Sequence, residues 1–178
     1  MLEDIAEILV SEEALSRRVK ELGQAITNDY RDRELVMIGV LRGSVFFVTD
    51  LAMAIDLPLV MDFMAVTSYG PASAAHGVVR ILKDLDEDIR GKDVLLVEDV
   101  VDTGLTLAYL LKNLRARGPA SLEVCTLIDK PDRRLVDTPI RYRGFTLKPE
   151  FVVGYGLDYR QRYRNLPFIA TLKPEAYR

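Results

Sequence analysis

One stretch contains the residues best suited to binding or catalysis: Glu98-Asp99-Val100-Val101-Asp102-Thr103-Gly104-Leu105-Thr106. Gly104 lets backbone N–H groups approach an anion closely, and Thr103 and Thr106 add hydroxyl donors. Glu98 and Asp99 can accept hydrogen bonds from vicinal sugar hydroxyls, or share them with a hard cation such as Mg²⁺. Carboxylates beside a phosphate-binding loop therefore predict a site for a sugar phosphate.

The flanking residues predict how this stretch is positioned. Residues 94–97 form an apolar run of the kind that a covered parallel strand needs. A leucine pattern at helical spacing follows, formed by Leu107, Leu110, Leu111 and Leu114. We therefore expect a strand that stops at Glu98 and a helix whose positive N-terminal end faces a phosphate. In open α/β sheets, ligands bind at this carboxyl edge.

The order of predicted elements indicates the fold class. Ser11 precedes an amphipathic helical pattern, and Ser44 is expected to cap a second helix. Further strands are expected at residues 35–41, 59–66, 78–82 and 122–128. Strands separated by helices predict an α/β fold, with a mainly parallel twisted sheet flanked by helices on both faces. We expect one domain over residues 1–178, with a core of about 10–140. A small hood subdomain is expected mainly at 141–178, with an N-terminal contribution left open.

Composition narrows the classes of function. The 178 residues carry a formal charge of −3 and a pI of about 5.3, which gives no support to generic binding of nucleic acid or anionic membranes. The single cysteine, Cys125, lies in an apolar run and is expected in the core. His76, the single histidine, is interpreted as incidental to catalysis. The absence of a signal-peptide pattern and of a long apolar run predicts a cytoplasmic protein.

The stretch Glu98–Thr106 resembles the 5-phosphoribosyl 1-pyrophosphate (PRPP) signature of type I phosphoribosyltransferases, in the form typical of the hypoxanthine-guanine branch. Three further segments match in order, so the resemblance covers roughly residues 35–174. It implies the type I phosphoribosyltransferase fold. It also implies Mg²⁺-dependent purine salvage, in which PRPP and hypoxanthine or guanine give IMP or GMP and pyrophosphate. A homodimer or homotetramer is implied as well.

The resemblance also assigns residue roles. Asp102 is the implied general base, and the segment 41–44 corresponds to the pyrophosphate loop, with a non-proline cis peptide bond between Leu41 and Arg42. Lysine is the common family residue at the position of Arg42, so this chain departs from the pattern there, with an effect on kinetics left open. The implied Mg²⁺ ligands are Glu98, Asp99 and Asp158. The implied substrate-binding residues are Arg42, Gly43, Ser68, Tyr69, Glu98, Asp99, Thr103, Gly104, Leu105, Thr106, Lys130, Phe151, Val152, Asp158 and Arg164.

Lys130 is the predicted reader of the base. An ammonium group has donors and no acceptor, so it favours the carbonyl oxygen of a 6-oxopurine over the amino group of adenine. Phe151 can stack on the purine, and backbone groups near Val152 can pair with its edge. The segment 67–77, with its Ser68-Tyr69-Gly70 triplet, is interpreted as a lid that excludes water.

Two alternatives stay open from the sequence. A regulator built on the same fold could bind nucleic acid and sense PRPP or a nucleotide, since fold alone does not define function. Among enzymes, the relative preference for hypoxanthine, guanine and xanthine is undetermined, because it depends on backbone positions around Val152 and Asp158.

Overall fold

The computed structural model describes residues 1–69 and 78–177, apart from the side chains of Ser68, Tyr69 and Val78. Most of the predicted lid, including His76, therefore lies outside the described residues. The strands and α-helices are β1 (Ile5–Val10), α1 (Glu12–Asp29), β2 (Leu35–Leu41), α2 (Val45–Ala54), β3 (Leu59–Tyr69), β4 (Val78–Lys83), β5 (Asp93–Val101), α3 (Leu105–Arg115), β6 (Ser121–Asp129), β7 (Tyr142–Thr146) and β8 (Ile169–Leu172). Short 3₁₀ turns lie at Leu2–Asp4, Pro131–Arg133 and Pro174–Ala176.

The central sheet has six strands in the order β4-β3-β2-β5-β6-β7. Its inner strands pair in parallel, and only the edge strand β4 runs antiparallel, to β3. The predicted α/β class with a mainly parallel sheet is confirmed. Parallel pairing brings the carboxyl ends of β2, β5 and β6 to one edge, where the predicted site residues follow each strand.

Two apolar layers cover the sheet, and β5 shows why its sequence is apolar throughout. Its alternate residues face opposite sides, so Leu95 and Val97 pack with α1 and α2 while Val94 and Leu96 pack with α3. All four side chains have 0% exposure. The strand that carries the carboxylates is therefore held on both faces.

The two predicted helix caps have different outcomes. Ser11 caps α1, since its hydroxyl accepts a hydrogen bond of 3.2 Å from the backbone N–H of Ala14. Ser44 occupies the N-cap position of α2, as predicted, but its side chain makes no capping hydrogen bond. The prediction is therefore right about the position and wrong about the capping interaction. Its hydroxyl is fully buried with a helical backbone and instead donates to the carbonyl of Val40 at 2.6 Å.

The prediction that the fifth strand stops at Glu98 is also wrong. Pairing of β5 with β2 ends at Val97, but pairing with β6 continues to Val101, opposite Asp129. The carboxylates of Glu98 and Asp99 therefore lie on an ordered strand that is open on the β2 side, instead of on a loop.

A second, two-stranded sheet pairs β1 with β8 in antiparallel fashion. A third small core, formed by Val153, Tyr163, Leu166 and Leu172, packs beside it. The segment Tyr142–Thr146, which the sequence analysis placed in the hood, is instead the edge strand β7, because it pairs with β6. In the part of the chain that the structure describes, no helix is long and apolar enough to span a membrane.

Candidate active site

A cavity of about 470 Å³ opens at the carboxyl ends of β2 and β5. It brings together ten of the predicted site residues: Arg42, Gly43, Glu98, Asp99, Asp102, Thr103, Gly104, Thr106, Asp158 and Arg164. Leu105, Lys130, Phe151 and Val152 do not line it, and the side chains of Ser68 and Tyr69 are not described. A larger cavity of about 810 Å³ lies between α1, α2 and residues 164–167, and it contains one predicted site residue, Arg164.

Close backbone approach shapes one wall of the smaller cavity. The peptide bond between Leu41 and Arg42 is cis, as the resemblance implied. A Cβ atom at Gly43 would collide with Oδ2 of Asp99, and a Cβ at Gly156, where φ is +101°, would collide with the carbonyl oxygen of Gly43. Glycine at position 43 therefore lets the loop after β2 press directly against the carboxylate on β5.

The opposite wall is the loop that enters α3. Gly104 has φ +83° and forms the N-cap of α3, whose first N–H groups have no partner inside the helix. The carbonyl of Thr103 accepts hydrogen bonds from the N–H groups of Leu135, at 2.9 Å, and Val136, at 3.2 Å. The loop is thereby braced from outside while its N–H groups and the positive helix end remain suited to a phosphate.

The carboxylates on β5 lie where negative charge is costly. Burial raises the pKa of Glu98 well above its usual range, and the charge of Asp99 adds to the shift. Burial likewise raises the pKa of Asp99 to about 6, and the charge of Asp158 acts in the same direction although Arg164 opposes it. A cation or a set of hydroxyl donors in this cavity would favour the ionised forms.

Asp102 lies half-exposed at the rim of the same cavity. Arg133 Nε lies 3.0 Å from its Oδ1, an ion pair that lacks the alignment of a hydrogen bond. Sequence reasoning missed Arg133, and no motif pointed to it. Oδ1 is itself buried and makes no hydrogen bond within residues 1–69 and 78–177, whereas the side chain as a whole lines the cavity.

Three acceptors fix Arg164, the predicted anion-binding arginine near the C-terminal end of the sequence. Arg164 forms an ion pair with Asp158 at 2.8 Å and donates to the carbonyl of Gly156 at 2.6 Å. It also donates to the side chain of Gln161, which sequence reasoning missed. Asp158 and Arg164 therefore enter the cavity as a connected pair.

The predicted base-reading residues meet beside this cavity. Lys130 is buried, and burial lowers the pKa of its ammonium group. Its Nζ donates a hydrogen bond of 2.6 Å to the carbonyl of Glu150, immediately before Phe151. Phe151 is 49% exposed, with edge-on ring contacts to Tyr159 and Tyr177, whereas Val152 is buried. An exposed ring beside an ammonium group suits a flat, oxygen-bearing base.

An ion cluster forms around the buried carboxylate of Asp129, the residue before Lys130 in the sequence. The Asp129 side chain is 4% exposed and contacts two arginines, Arg134 and Arg143, the latter through Nε at 2.6 Å. Arg134 also donates to Thr138 at 2.9 Å, next to Gly104. Sequence reasoning missed both arginines because only the folded chain brings them to Asp129. The cluster therefore links the segment that carries Lys130 to the loop that carries Gly104.

Known proteins match this chain over its whole length. A protein from Mycobacterium avium named hypoxanthine-guanine phosphoribosyltransferase is 55% identical over 98% of this chain and 89% of its own length. One from Bacillus subtilis with the same name is 48% identical over 99% and 98%. The crystal structure of a hypoxanthine phosphoribosyltransferase from Staphylococcus aureus superposes with a TM-score of 0.96 at 48% identity, covering 100% of this chain and 97% of that one. The sequence profile of the phosphoribosyl transferase domain matches residues 6–160. This chain belongs to the phosphoribosyltransferase family.

Family membership confirms the expected type I phosphoribosyltransferase fold. It gives no support to the regulatory alternative, since the relatives described above are named as enzymes. Phosphoribosyltransferases of this kind are generally Mg²⁺-dependent. Among the described residues, no group of three or more His, Cys, Asp or Glu side chains forms a complete metal site. Mg²⁺ is commonly held by one or two carboxylates together with substrate phosphates, so the carboxylate set of this phosphoribosyltransferase fits it.

Proposed function

We propose that this chain transfers the 5-phosphoribosyl group of PRPP to N9 of hypoxanthine or guanine, releasing pyrophosphate and forming IMP or GMP for purine salvage. One observation carries the proposal: a single cavity joins the phosphate loop, Asp102 and the two arginines expected to bind pyrophosphate. The relatives from M. avium and B. subtilis are named for this activity, and this chain aligns with nearly their full length.

Each part of PRPP can be assigned to a group of residues that would bind it. The 5-phosphate would be bound by backbone N–H groups and hydroxyls of residues 102–106, at the N-terminus of α3. Glu98 and Asp99 would accept hydrogen bonds from the ribose hydroxyls. Arg42, Gly43 and Arg164 would bind the pyrophosphate. Ser68 and Tyr69 are proposed to cover the sugar as part of the lid.

Glu98, Asp99 and Asp158 are the proposed Mg²⁺ ligands, since all three line the cavity. The metal would supply neutralisation of the charge on the leaving pyrophosphate. Ligation requires ionised carboxylates, so binding would lower the raised pKa values of Glu98 and Asp99. Asp158 would remain oriented by its ion pair with Arg164.

The chemistry of the sugar explains why several carboxylates line a cavity that is proposed to bind an anionic substrate. Pyrophosphate departs before the base bonds strongly, so positive charge develops on C1′ and nearby carboxylates stabilise it. Asp102 is the proposed general base. Its carboxylate lines the cavity and would share the proton of the purine while N9 attacks. Arg133, whose Nε lies 3.0 Å from Oδ1, would help to hold the carboxylate of Asp102 in place before that transfer.

Base selection is assigned to Lys130, Phe151 and Val152. Lys130 uses one of its three N–H donors on Glu150, which leaves two for the 6-oxo group of hypoxanthine or guanine. The exposed ring of Phe151 would stack on the purine. Adenine presents an amino group at the same place and would be rejected because donor would face donor.

Three broader statements belong to the same proposal. The chain would form one phosphoribosyltransferase domain over residues 1–178, with the core sheet bearing PRPP and the hood bearing Phe151, Asp158 and Arg164. It would act as a homodimer or homotetramer in the cytoplasm. Analytical ultracentrifugation would test the assembly, and fractionation of cells would test the location.

The deciding experiment mixes the protein with PRPP, Mg²⁺ and one base at a time, and follows nucleotide formation by absorbance. We expect IMP and GMP, no AMP, and no product when the metal is chelated. Formation of XMP would define the breadth of the base site. Absence of product from every base, in protein shown to be folded, would contradict the proposed function.

A further inference from the structure

One amide oxygen joins the two arginines of the cavity. Oε1 of Gln161 accepts hydrogen bonds from Nη1 of Arg42, at 3.2 Å, and from Nη2 of Arg164, at 3.0 Å. Arg42 directly follows β2 of the central sheet, whereas Arg164 lies in the segment between β7 and β8, the predicted hood. Gln161 is therefore the side chain through which the two positive groups meet.

The backbone of Gln161 is held by the carboxylate of Asp158. Its N–H donates to Oδ2 of Asp158 at 2.7 Å, while Oδ1 of the same carboxylate pairs with Arg164 at 2.8 Å. These contacts close a ring of three residues, and Arg42 joins it through the Gln161 side chain. The position of Oε1 is thus fixed with respect to both the core and the hood.

The turn that carries Gln161 has an unfavourable local conformation. Tyr159 and Arg162 exchange backbone hydrogen bonds of 3.2 and 3.0 Å around Arg160 and Gln161, whose φ angles are +51° and +64°. Two positive φ angles are typical of type I′ turns, which favour Asn and Gly. Long side chains in this region are strained, and such strain is concentrated at functional sites. The two contacts of Oε1 give a reason for a glutamine here.

We propose that Gln161 is a positioning residue that holds Arg42 and Arg164 as one anion-binding pair. The inference rests on the proposed function, since the anion is the pyrophosphate group of PRPP. Two free guanidinium groups would repel each other and lose rotamer freedom on binding. A shared acceptor offsets both effects before the ligand arrives. Gln161 itself makes no contact with reacting atoms in this scheme.

Arginine at position 42 is part of the same arrangement. Its planar fork can place Nη1 on Gln161 and still present other N–H groups to a phosphate. A lysine carries all three donors on one nitrogen atom, so it could bind Gln161 and a phosphate together only if both acceptors lay next to that single atom. The effect of residue 161 should therefore depend on whether residue 42 is Arg or Lys.

Direct binding of Mg²⁺-pyrophosphate, measured by titration calorimetry, provides the first test. Gln161→Met keeps the side-chain length but removes the acceptor, and we expect about a tenfold rise in Kd and in the KM for PRPP, with kcat changed less than threefold. Gln161→Glu keeps acceptor oxygens at the same reach but adds a negative charge beside the anion, so any rise in its Kd should shrink as ionic strength increases, unlike that of Gln161→Met. Gln24→Met, the same replacement on the exposed surface of α1, should change neither quantity.

The second test is a double-mutant cycle with Arg42→Lys. We expect Gln161→Met to raise Kd by about tenfold when Arg42 is retained, but by less than about threefold in the Arg42→Lys background. Gln161→Gly is a second acceptor-free variant that the positive φ favours, so it should match Gln161→Met in binding while unfolding at an equal or higher temperature. Unchanged pyrophosphate affinity in both acceptor-free variants would overturn the inference. Failure of the wild type to bind pyrophosphate would instead overturn the proposed function.

Discussion

Lys130 and Glu150 are joined across the site by a hydrogen bond of 2.6 Å, from the lysine Nζ to the glutamate backbone carbonyl. Lys130 follows β6, whereas Glu150 immediately precedes the Phe151 ring. One ammonium group thus fixes the distance between the reader of the base edge and the surface proposed to stack on the base. It also explains why a lysine can be buried here, because one of its donors is satisfied.

Replacement of Lys130 by Met should remove both this link and the contact to the 6-oxo group. We expect kcat/KM for hypoxanthine to fall by about 10 to 100-fold, as for loss of a charged hydrogen bond, with a smaller change in the KM for PRPP. Lys148→Met, at an exposed position nearby, is the control. A less than twofold change in Lys130→Met would exclude Lys130 as the base reader.

Asp102→Asn should lower kcat by about 100-fold or more and leave substrate binding nearly unchanged, because the amide cannot accept the purine proton. Steady-state and single-turnover rates with PRPP and hypoxanthine would measure this. Asp132→Asn, in the exposed turn beside Arg133, should retain normal turnover. Near-normal kcat for Asp102→Asn would remove its role as general base.

The raised pKa of Asp99 predicts how stability depends on pH. The folded protein keeps the Asp99 proton up to about pH 6, whereas the unfolded chain releases it near pH 3.8. Folding therefore binds a proton in this window, so Asp99 lowers the free energy of unfolding as pH rises from about 4 to 6. Urea denaturation of wild type and Asp99→Asn across this range would isolate the effect. Equal pH slopes would show that Asp99 titrates normally.

The same pKa shift affects metal binding. Mg²⁺ requires the ionised carboxylate, so affinity for Mg²⁺-pyrophosphate should rise between about pH 5 and 7, and binding should release protons. Calorimetry in two buffers of different ionisation enthalpy would count those protons. Asp99→Asn should release fewer. An unchanged count in that variant would argue that Asp99 does not ligate the metal.

Gly43→Ala should disrupt the site through a single methyl group. The added Cβ would collide with the Asp99 carboxylate. We expect the KM for PRPP to rise by about tenfold or more, because misplaced binding groups weaken orientation of the substrate. The control is Gly91→Ala, where a Cβ meets open space but φ is +72°. It should cost about 1 kcal/mol of stability and leave the kinetics intact.

Arg134→Met should destabilise the fold more than loss of a surface arginine. It leaves the buried Asp129 carboxylate with only Arg143, so we expect a loss of about 2 to 3 kcal/mol, below the full cost of an unpaired buried charge. Arg141→Met removes exposed ion pairs with Asp29 and Glu123 and should cost less than about 1 kcal/mol. Denaturant unfolding would compare the two. Equal losses would show that Asp129 is adequately held by Arg143 alone.

The sequence predicted those strands and helix ends that are determined by residues close together in the chain. The apolar run before Glu98 and the Ser11 cap predicted β5 and the start of α1, because period and capping act within a few residues. The end of β5 depends on its pairing with β6 and was missed for that reason. β1 pairs with β8 at the far end of the sequence and has no strong alternating pattern of its own.

The same distinction separates the site residues. Glu98 to Thr106 form a contiguous motif whose chemistry is readable without a structure. Gln161, Arg133 and the two arginines on Asp129 act through contacts that only the folded chain creates. These residues contact motif residues but belong to no motif themselves, so no pattern of spacing in the sequence identifies them.

Because β1 pairs with β8, one of the two sheets joins segments that are synthesised at very different times. Residues 5–10 leave the ribosome early, but their partner at 169–172 follows only after the intervening chain, about 10 to 30 seconds later at ordinary translation rates. During that interval the six-stranded sheet can form while β1 keeps an uncovered edge. Until residues 169–172 emerge, nascent chains would carry the phosphate pocket without the β1–β8 sheet, so we expect them not to consume PRPP.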